Sequence, residues 1–240
     1  MLDAQQKRDP LECTYADRYG MLELSCAALL FDMDGVLVDS QAVVKRTWRR
    51  WCERTGVDEV TVLRAAHGRR TMDTLQTVAP HLDLSAELRW LEEAELDDDN
   101  GIVAIPGASH VVVGLPLERW AVVTSAGREL AIRRLEWAGL PTPACLVAAE
   151  HVNQGKPSPE GYLRAAVDLR VAASSCVVFE DAPAGVDAAK AAGMRIIGLT
   201  TTHEPDQLGS TDALLPDLLG VKVREDNGEV VLGIPTSGAF

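Results

Sequence analysis

Four places where an apolar run stops on polar side chains hold the residues of this sequence that could do chemistry. In the first, the run from Cys26 to Phe31 ends on Asp32 and, past Met33, on Asp34, before a turn at Gly35. The later ones supply Thr124 with Ser125, then Lys156 from the loop that follows Cys145 to Ala148, then Glu180 with Asp181. Unpaired carboxylates at the end of a core strand cost on the order of several kcal/mol in desolvation, so something cationic is expected beside them. Asp32, Asp181 and Glu180 offer hard oxygen ligands which, with waters and a substrate oxygen, suit octahedral Mg²⁺. Such an ion makes an acidic site locally attractive to phosphate. The Thr124 hydroxyl and the Lys156 ammonium can then hold phosphoryl oxygens and the charge that builds on them in a transition state. One carboxylate can serve as nucleophile and another as general acid and base. The set reads as a phosphoryl-transfer site.

Positioning these groups requires strand ends that meet at one edge. From Ser25 the chain reads as strand, and after Ile105-Pro106-Gly107 it alternates strand and helix. Strands are expected at Trp120 to Val123, Cys145 to Ala148, Cys176 to Phe179 and Ile196 to Leu199. Helices of 10 to 15 residues between them imply βαβ units and a parallel, doubly wound α/β sheet, whose ligand site lies outside the carboxyl ends of the strands. Between Ser40 and about residue 104 four helical stretches follow without a strand, the first capped by Asp39 or Ser40 and the last by Ser85. The expected organisation is a core of residues 25–39 and 105–240 with a small helical cap domain, residues 40–104, inserted into it. A hairpin at about 221–234, turning at Asn227-Gly228, is expected at one edge of the sheet. Residues 1–24, without sustained periodicity, are expected to form a flexible extension, with Met21 a possible alternative start.

The net charge of −13 argues against a nucleic-acid or anionic-membrane partner, since both need a basic face. Cys13, Cys26, Cys52, Cys145 and Cys176 form no C-x-x-C pair, which suits reduced cysteines of a cytoplasmic protein. Oligomeric state leaves no signature in the sequence.

Phe31 to Ser40, Val123-Thr124-Ser125, Gly155 to Glu160 and Phe179 to Gly185 resemble, in order, the four motifs of the haloacid dehalogenase-like hydrolases. The resemblance covers about residues 25–220 and implies a Rossmann-like core with a helical cap after the first motif. It implies that Asp32 is the nucleophile, that Asp34 is the acid/base residue with its carbonyl reaching Mg²⁺, that Thr124 and Lys156 bind the phosphoryl group, and that Asp181 is a metal ligand with Glu180 beside it. The family's dehalogenases lack the second aspartate, so Asp34 favours phosphate chemistry. The basic turn at Arg69 and Arg70, entering a helix at Thr71, resembles the cap segment of sugar and polyol phosphatases such as the glycerol-3-phosphate and 2-deoxyglucose-6-phosphate phosphatases. Arg69, Arg70 and Ser125 are therefore candidates for substrate binding. His67, in the same turn, reads as a packing residue. The resulting expectation is a Mg²⁺-dependent phosphatase of a small phosphorylated sugar or polyol, acting through an aspartyl-phosphate. A phosphosugar mutase of the β-phosphoglucomutase kind is the alternative, although Val44 and Thr71 stand where those mutases carry histidine and arginine. A non-catalytic phosphosugar-binding protein is a further alternative and would need a broken motif.

Overall fold

The computed structural model describes residues 13–14, 21–66 and 68–235. In chain order the strands are β1 (Cys13–Thr14), β2 (Met21–Cys26), β3 (Ala28–Phe31), β4 (Val38–Asp39), β5 (Val103–Ala104), β6 (Trp120–Val123), β7 (Cys145–Val147), β8 (Cys176–Glu180), β9 (Arg195–Leu199), β10 (Ala213–Leu215), β11 (Lys222–Asp226) and β12 (Glu229–Pro235). The helices are α1 (Gln41–Thr55), α2 (Glu59–Ala66), α3 (Thr71–Val78), α4 (Leu84–Leu96), α5 (Ala108–Val113), α6 (Arg128–Trp137), α7 (Glu160–Asp168) and α8 (Pro183–Ala191).

Six parallel strands form the central sheet in the order β10-β9-β8-β3-β6-β7. The centre is β3, with Leu29 opposite Trp120 of β6 on one side and Val177 of β8 on the other. Every residue of β3, β6 and β8 is buried, which continuous apolar runs allow and which a parallel sheet covered on both faces demands. Alternation along these strands divides the core. Leu29, Phe31, Trp120, Val122, Val177 and Phe179 pack on one face with α5 and α6, while Ala28, Leu30, Ala121, Val123 and Val178 pack on the other with α7 and α8. Because β3 has a later strand on each side, the chain's direction of winding changes there. The carboxyl ends of β3, β6 and β8 therefore meet at a switch point.

The hairpin departs from its expected place. Asn227 and Gly228 do turn it, with φ of 51° and 83°, but β12 pairs antiparallel with β2, Leu232 opposite Leu24, in a separate four-stranded sheet of order β1-β2-β12-β11. Residues 21–24, expected in the N-terminal extension, are thus part of strand β2; the rest of that extension lies outside the described residues except for β1. The physical reason is a shared apolar face: Leu24, Cys26, Val230, Leu232 and Ile234 belong to the core cluster that includes Leu29 and Phe31. Leu22, Leu24 and Cys26 alternate with Glu23 and Ser25, the period-2 pattern of a half-buried strand, but over too few residues to stand out from the irregular segment before it.

The cap helices α1 to α4 leave and re-enter the core through a two-stranded stem, β4 antiparallel to β5. They enclose an apolar cluster of their own, with Trp48, Trp51, Val62, Leu75 and Leu91 buried. Asp39, one of the two expected caps of α1, accepts from the Gln41 amide at 3.1 Å, while the Ser40 hydroxyl is used elsewhere. At α4 the cap differs from expectation: Asp83, rather than Ser85, accepts from the Ala86 amide. Among the described residues no helix is long and apolar enough to cross a membrane. Cys26, Cys52, Cys145 and Cys176 are free thiols and buried.

If the C-terminal hairpin is an integral wall of the core, Leu232→Ala should lower the unfolding free energy by about 2 to 5 kcal/mol, measured by urea denaturation. An unchanged midpoint and slope would mean that this sheet is dispensable.

Candidate active site

Asp32 follows β3 directly and is held by the sheet itself, since its amide donates to the Phe179 carbonyl of β8 at 3.0 Å. Its Oδ1 accepts from the Met33 amide at 2.8 Å and lies 2.9 Å from Lys156 Nζ. Lys156 is equally bound to Glu180, Nζ to Oε1 at 2.6 Å. Glu180 also accepts from Tyr162 Oη at 2.7 Å and from the Asp181 and Ala182 amides at 3.0 and 3.2 Å. Both of its oxygens are therefore engaged, and a buried lysine is locked in place between two carboxylates. Burial raises the Asp32 carboxyl to about 7, Lys156 opposing and Glu180 adding to the shift. For Lys156, burial works against the charge, but Asp32 and Glu180 outweigh it and hold the ammonium above its ordinary range.

Asp181 is raised well above the carboxylate range by burial and by the charges of Glu180 and Asp32. Its Oδ2 accepts from Thr202 Oγ1, but its Oδ1 is buried without a hydrogen-bond partner. Oxygens of Asp32, Glu180 and Asp181 lie within 4.8 Å of one another. Three carboxylates thus share one ammonium, and one of them keeps a buried oxygen without a partner. A divalent cation fits this set: it supplies both the missing partner and the missing positive charge. Gly35, at φ 82°, makes the arrangement possible, because a Cβ there would overlap the Asp181 carboxylate.

Asp34 lies in the loop after Asp32, its side chain 30% exposed to the cavity. Ser40 Oγ donates to its Oδ1 at 2.6 Å and Arg134 Nη1 to its Oδ2 at 2.8 Å. Arg134 comes from α6 in the core, and its Nη2 stands 3.3 Å from Glu95 Oε2 on the cap helix α4. Thr124, buried at the end of β6, has its Oγ1 engaged by the Ala126 amide at 3.1 Å.

The proposed substrate-binding residues divide. Arg69 is exposed and lines the cavity between cap and core, a space of about 790 Å³. Arg70 also borders that cavity, but its guanidinium is committed: Nε and Nη2 donate to Asp73 at 2.8 and 2.9 Å, and Nη1 and Nη2 reach the Val152 and Asn153 carbonyls of the core at 3.2 and 3.3 Å. Gly155 leaves room for it, since a Cβ there would come within 2.6 Å of Nε. Ser125 Oγ donates to the Gly68 carbonyl at 3.2 Å, another tie between core and cap. In this arrangement Arg70 and Ser125 dock the cap, and Arg69 is the arginine left open to a ligand. His67 lies outside the described residues.

Four residues of this site escaped sequence reasoning: Arg134, Glu95, Tyr162 and Thr202. The first three carried a detectable signal. Each occupies a position where helical spacing calls for an apolar side chain, Arg134 among Leu130, Ala131 and Leu135, Glu95 one turn after Leu91, and Tyr162 beside Ala165 and Ala166. Thr202, in a loop after β9, carried none.

Residues 29–199 match the family model described as haloacid dehalogenase-like hydrolase. Among curated proteins the chain is 38% identical over 218 residues to hexitol phosphatase A of Escherichia coli, covering 87% of this chain and 100% of that one. It is 38% identical over 200 residues to glycerol-1-phosphate phosphohydrolase 2 of Saccharomyces cerevisiae, covering 78% and 80%. Among solved structures, β-phosphoglucomutase of Clostridium difficile superposes with a TM-score of 0.72 at 21% identity, over 80% or more of each chain, 82% and 93% respectively. At that identity the likeness is one of fold.

The tight packing behind Lys156 can be tested at Gly185, where a Cβ would overlap the Glu180 carboxylate. Gly185→Ala should cost about 1 to 3 kcal/mol of stability in urea unfolding, as overpacking of a fully engaged group does. A midpoint unchanged from wild type would show that Glu180 moves freely.

Proposed function

We propose that this chain, which belongs to the haloacid dehalogenase-like hydrolases, hydrolyses a small sugar or polyol phosphate monoester through an aspartyl-phosphate on Asp32, with Mg²⁺ as its metal. It is a phosphoric monoester hydrolase, as its curated relatives are. The observation that carries the mechanism is the convergence of Asp32, Lys156 and Asp181, with Asp34 and Thr124 at the same edge, on the carboxyl ends of β3, β6 and β8.

Asp32 and Asp181 would hold the ion, with the Asp34 carbonyl; Glu180, in the same cluster, holds Lys156. When bound, the ion neutralises carboxylate and phosphoryl charge and draws the phosphate toward Asp32. An Asp32 oxygen attacks phosphorus in line with the ester oxygen, and the P–O bond to the alcohol breaks as the Asp32–phosphorus bond forms. Lys156 and Thr124 offset the charge on the equatorial phosphoryl oxygens. Asp34 gives its proton to the departing alkoxide. It then takes a proton from a water that attacks the aspartyl-phosphate, releasing inorganic phosphate and restoring Asp32. The cap, tied to the core by Arg70 and Ser125, limits the water that reaches the site. The mutase alternative is not favoured: the curated relatives named above are phosphatases, and the likeness to the mutase of Clostridium difficile concerns the fold.

Asp32→Asn should release no phosphate from glycerol or hexitol phosphates, and release at the wild-type rate would sink the nucleophile assignment. Asp34→Asn should slow turnover by about 10²-fold or more, the contribution of a positioned acid and base. Its Mg²⁺ affinity by calorimetry should stay close to wild type; lost affinity would mean the Asp34 side chain itself is a ligand. Treatment with a chelator should abolish phosphate release and added Mg²⁺ should restore it, and full activity after chelation would refute the metal requirement.

A further inference from the structure

Three consecutive threonines, Thr200, Thr201 and Thr202, follow β9 and reach the first turn of the site and its carboxylates. The loop they form is fastened at three points. The Thr200 amide donates to the Leu215 carbonyl at 2.9 Å, Thr201 Oγ1 donates at 2.5 Å to the carbonyl of Gly35, the residue after Asp34, and Gln41 Nε2 donates to the Thr201 carbonyl at 3.1 Å. On this braced loop Thr202 Oγ1 donates to Asp181 Oδ2, and both residues border the cavity. Oγ1 has two other neighbours, His203 Nδ1 at 2.9 Å and the Asp181 carbonyl at 3.0 Å. His203 Nδ1 also stands 3.0 Å from that carbonyl, which can only accept, so the proton of the ring lies on Nδ1. The carbonyl then has its donor, and the single hydroxyl proton of Thr202 goes to the carboxylate. The methyl is placed as well: a Cβ on Gly35 would come within 2.9 Å of Thr202 Cγ2, so the methyl sits beside bare glycine backbone. A β-branched side chain with both substituents so placed is held in one χ1 rotamer.

We propose that Thr202 is a positioning residue for the metal: its hydroxyl takes Oδ2 of Asp181 and so holds Oδ1 of that carboxylate ready for a divalent cation. The inference rests on the metal reading above and concerns a residue outside the four motifs and outside the matched span 29–199. The two oxygens of a carboxylate lie in one plane, so a bond that fixes Oδ2 fixes Oδ1 too. Oδ1 is buried and no protein group satisfies it, whereas Oδ2 is satisfied by Thr202. A cation entering such a site meets a ligand already oriented. Without the Thr202 proton the Asp181 carboxylate is free to turn, and the ion must order it on binding. Groups behind a metal ligand act in this way, and losing one weakens metal binding by about 10- to 100-fold. Thr201 braces the same site from the other side, since the Gly35 carbonyl that it holds follows directly on Asp34, whose own carbonyl is the other backbone candidate for the ion.

The test measures Mg²⁺ affinity of the full chain by calorimetry, with no substrate present. Thr202→Val keeps the shape of the side chain and removes its donor, and should bind Mg²⁺ about ten-fold more weakly or worse. Thr202→Ser keeps the donor and should stay within about three-fold of wild type. The Mg²⁺ concentration that gives half-maximal phosphate release should rise in Thr202→Val by the same factor as the dissociation constant. Equal affinity of wild type and the valine variant would overturn the inference, even if the urea midpoint falls, because Thr202 would then serve stability alone. Equal losses in the valine and serine variants would overturn it too, since they would trace the effect to the methyl beside Gly35. Should the valine variant not fold, Thr202→Ala removes the same donor at a half-buried loop position and carries the same expectation. A wild-type chain that binds no Mg²⁺ would defeat the metal reading and this inference with it, whereas equal affinities defeat only the inference.

Discussion

Everything in the core of this protein is arranged around a charge imbalance at the end of one strand. Asp32, Glu180 and Asp181 are buried together with a single ammonium, that of Lys156. Such a group survives burial only if each member is pinned by hydrogen bonds and the remaining charge is met by a cation. Glu180 is pinned by four donors, two of them backbone amides at the start of the turn into α8. Asp181 is left with an oxygen that no protein group reaches. The protein has settled the electrostatics of Lys156 and left those of Asp181 to a ligand. The net charge of −13 is no obstacle to phosphate binding on the proposed reading, because the local field would be set by that lysine and a cation at the acidic cluster rather than by the distant surface.

The same logic extends to the cap. Its own apolar cluster gives it internal stability, but its seat on the core is polar: Arg70 to two core carbonyls, Ser125 to the Gly68 carbonyl, and Arg134 between Asp34 and Glu95. Polar seams between domains are weaker than apolar ones and permit relative motion. Arg134 has a special place among them, since it touches the acid/base candidate with one nitrogen and approaches the cap with another.

Strand and helix positions in the core were legible because a parallel sheet buried on both faces leaves long apolar runs, and Leu29 to Phe31, Trp120 to Val123 and Val177 to Phe179 are such runs. Strand β2 was not, because it is buried on one side only and its alternation of Leu22, Leu24 and Cys26 with Glu23 and Ser25 spans too few residues to stand out. Arg70 and Ser125, candidates for substrate binding, line the cavity and also hold contacts between cap and core that the sequence does not show. A basic side chain at a cap turn and a hydroxyl at a strand end suggest substrate contact, and only the folded chain shows that Arg70 also reaches the Asn153 carbonyl and Ser125 the Gly68 carbonyl.

The sequence alone determined the family and the class of reaction: carboxylates, a threonine and a lysine at the ends of apolar strands are residue types that phosphoryl transfer needs, and their order along the chain matches that family. Local pattern also set the helical insertion after Ser40. Tertiary structure decided which of these groups are free. That Glu180 is consumed by Lys156 and Tyr162, that Asp181 keeps an open oxygen, and that Arg134 and Glu95 meet beside Asp34 all depend on contacts between residues far apart in the chain. Sequence spacing records which side chain a position carries, but hydrogen-bond saturation is a property of the neighbours that folding brings to it.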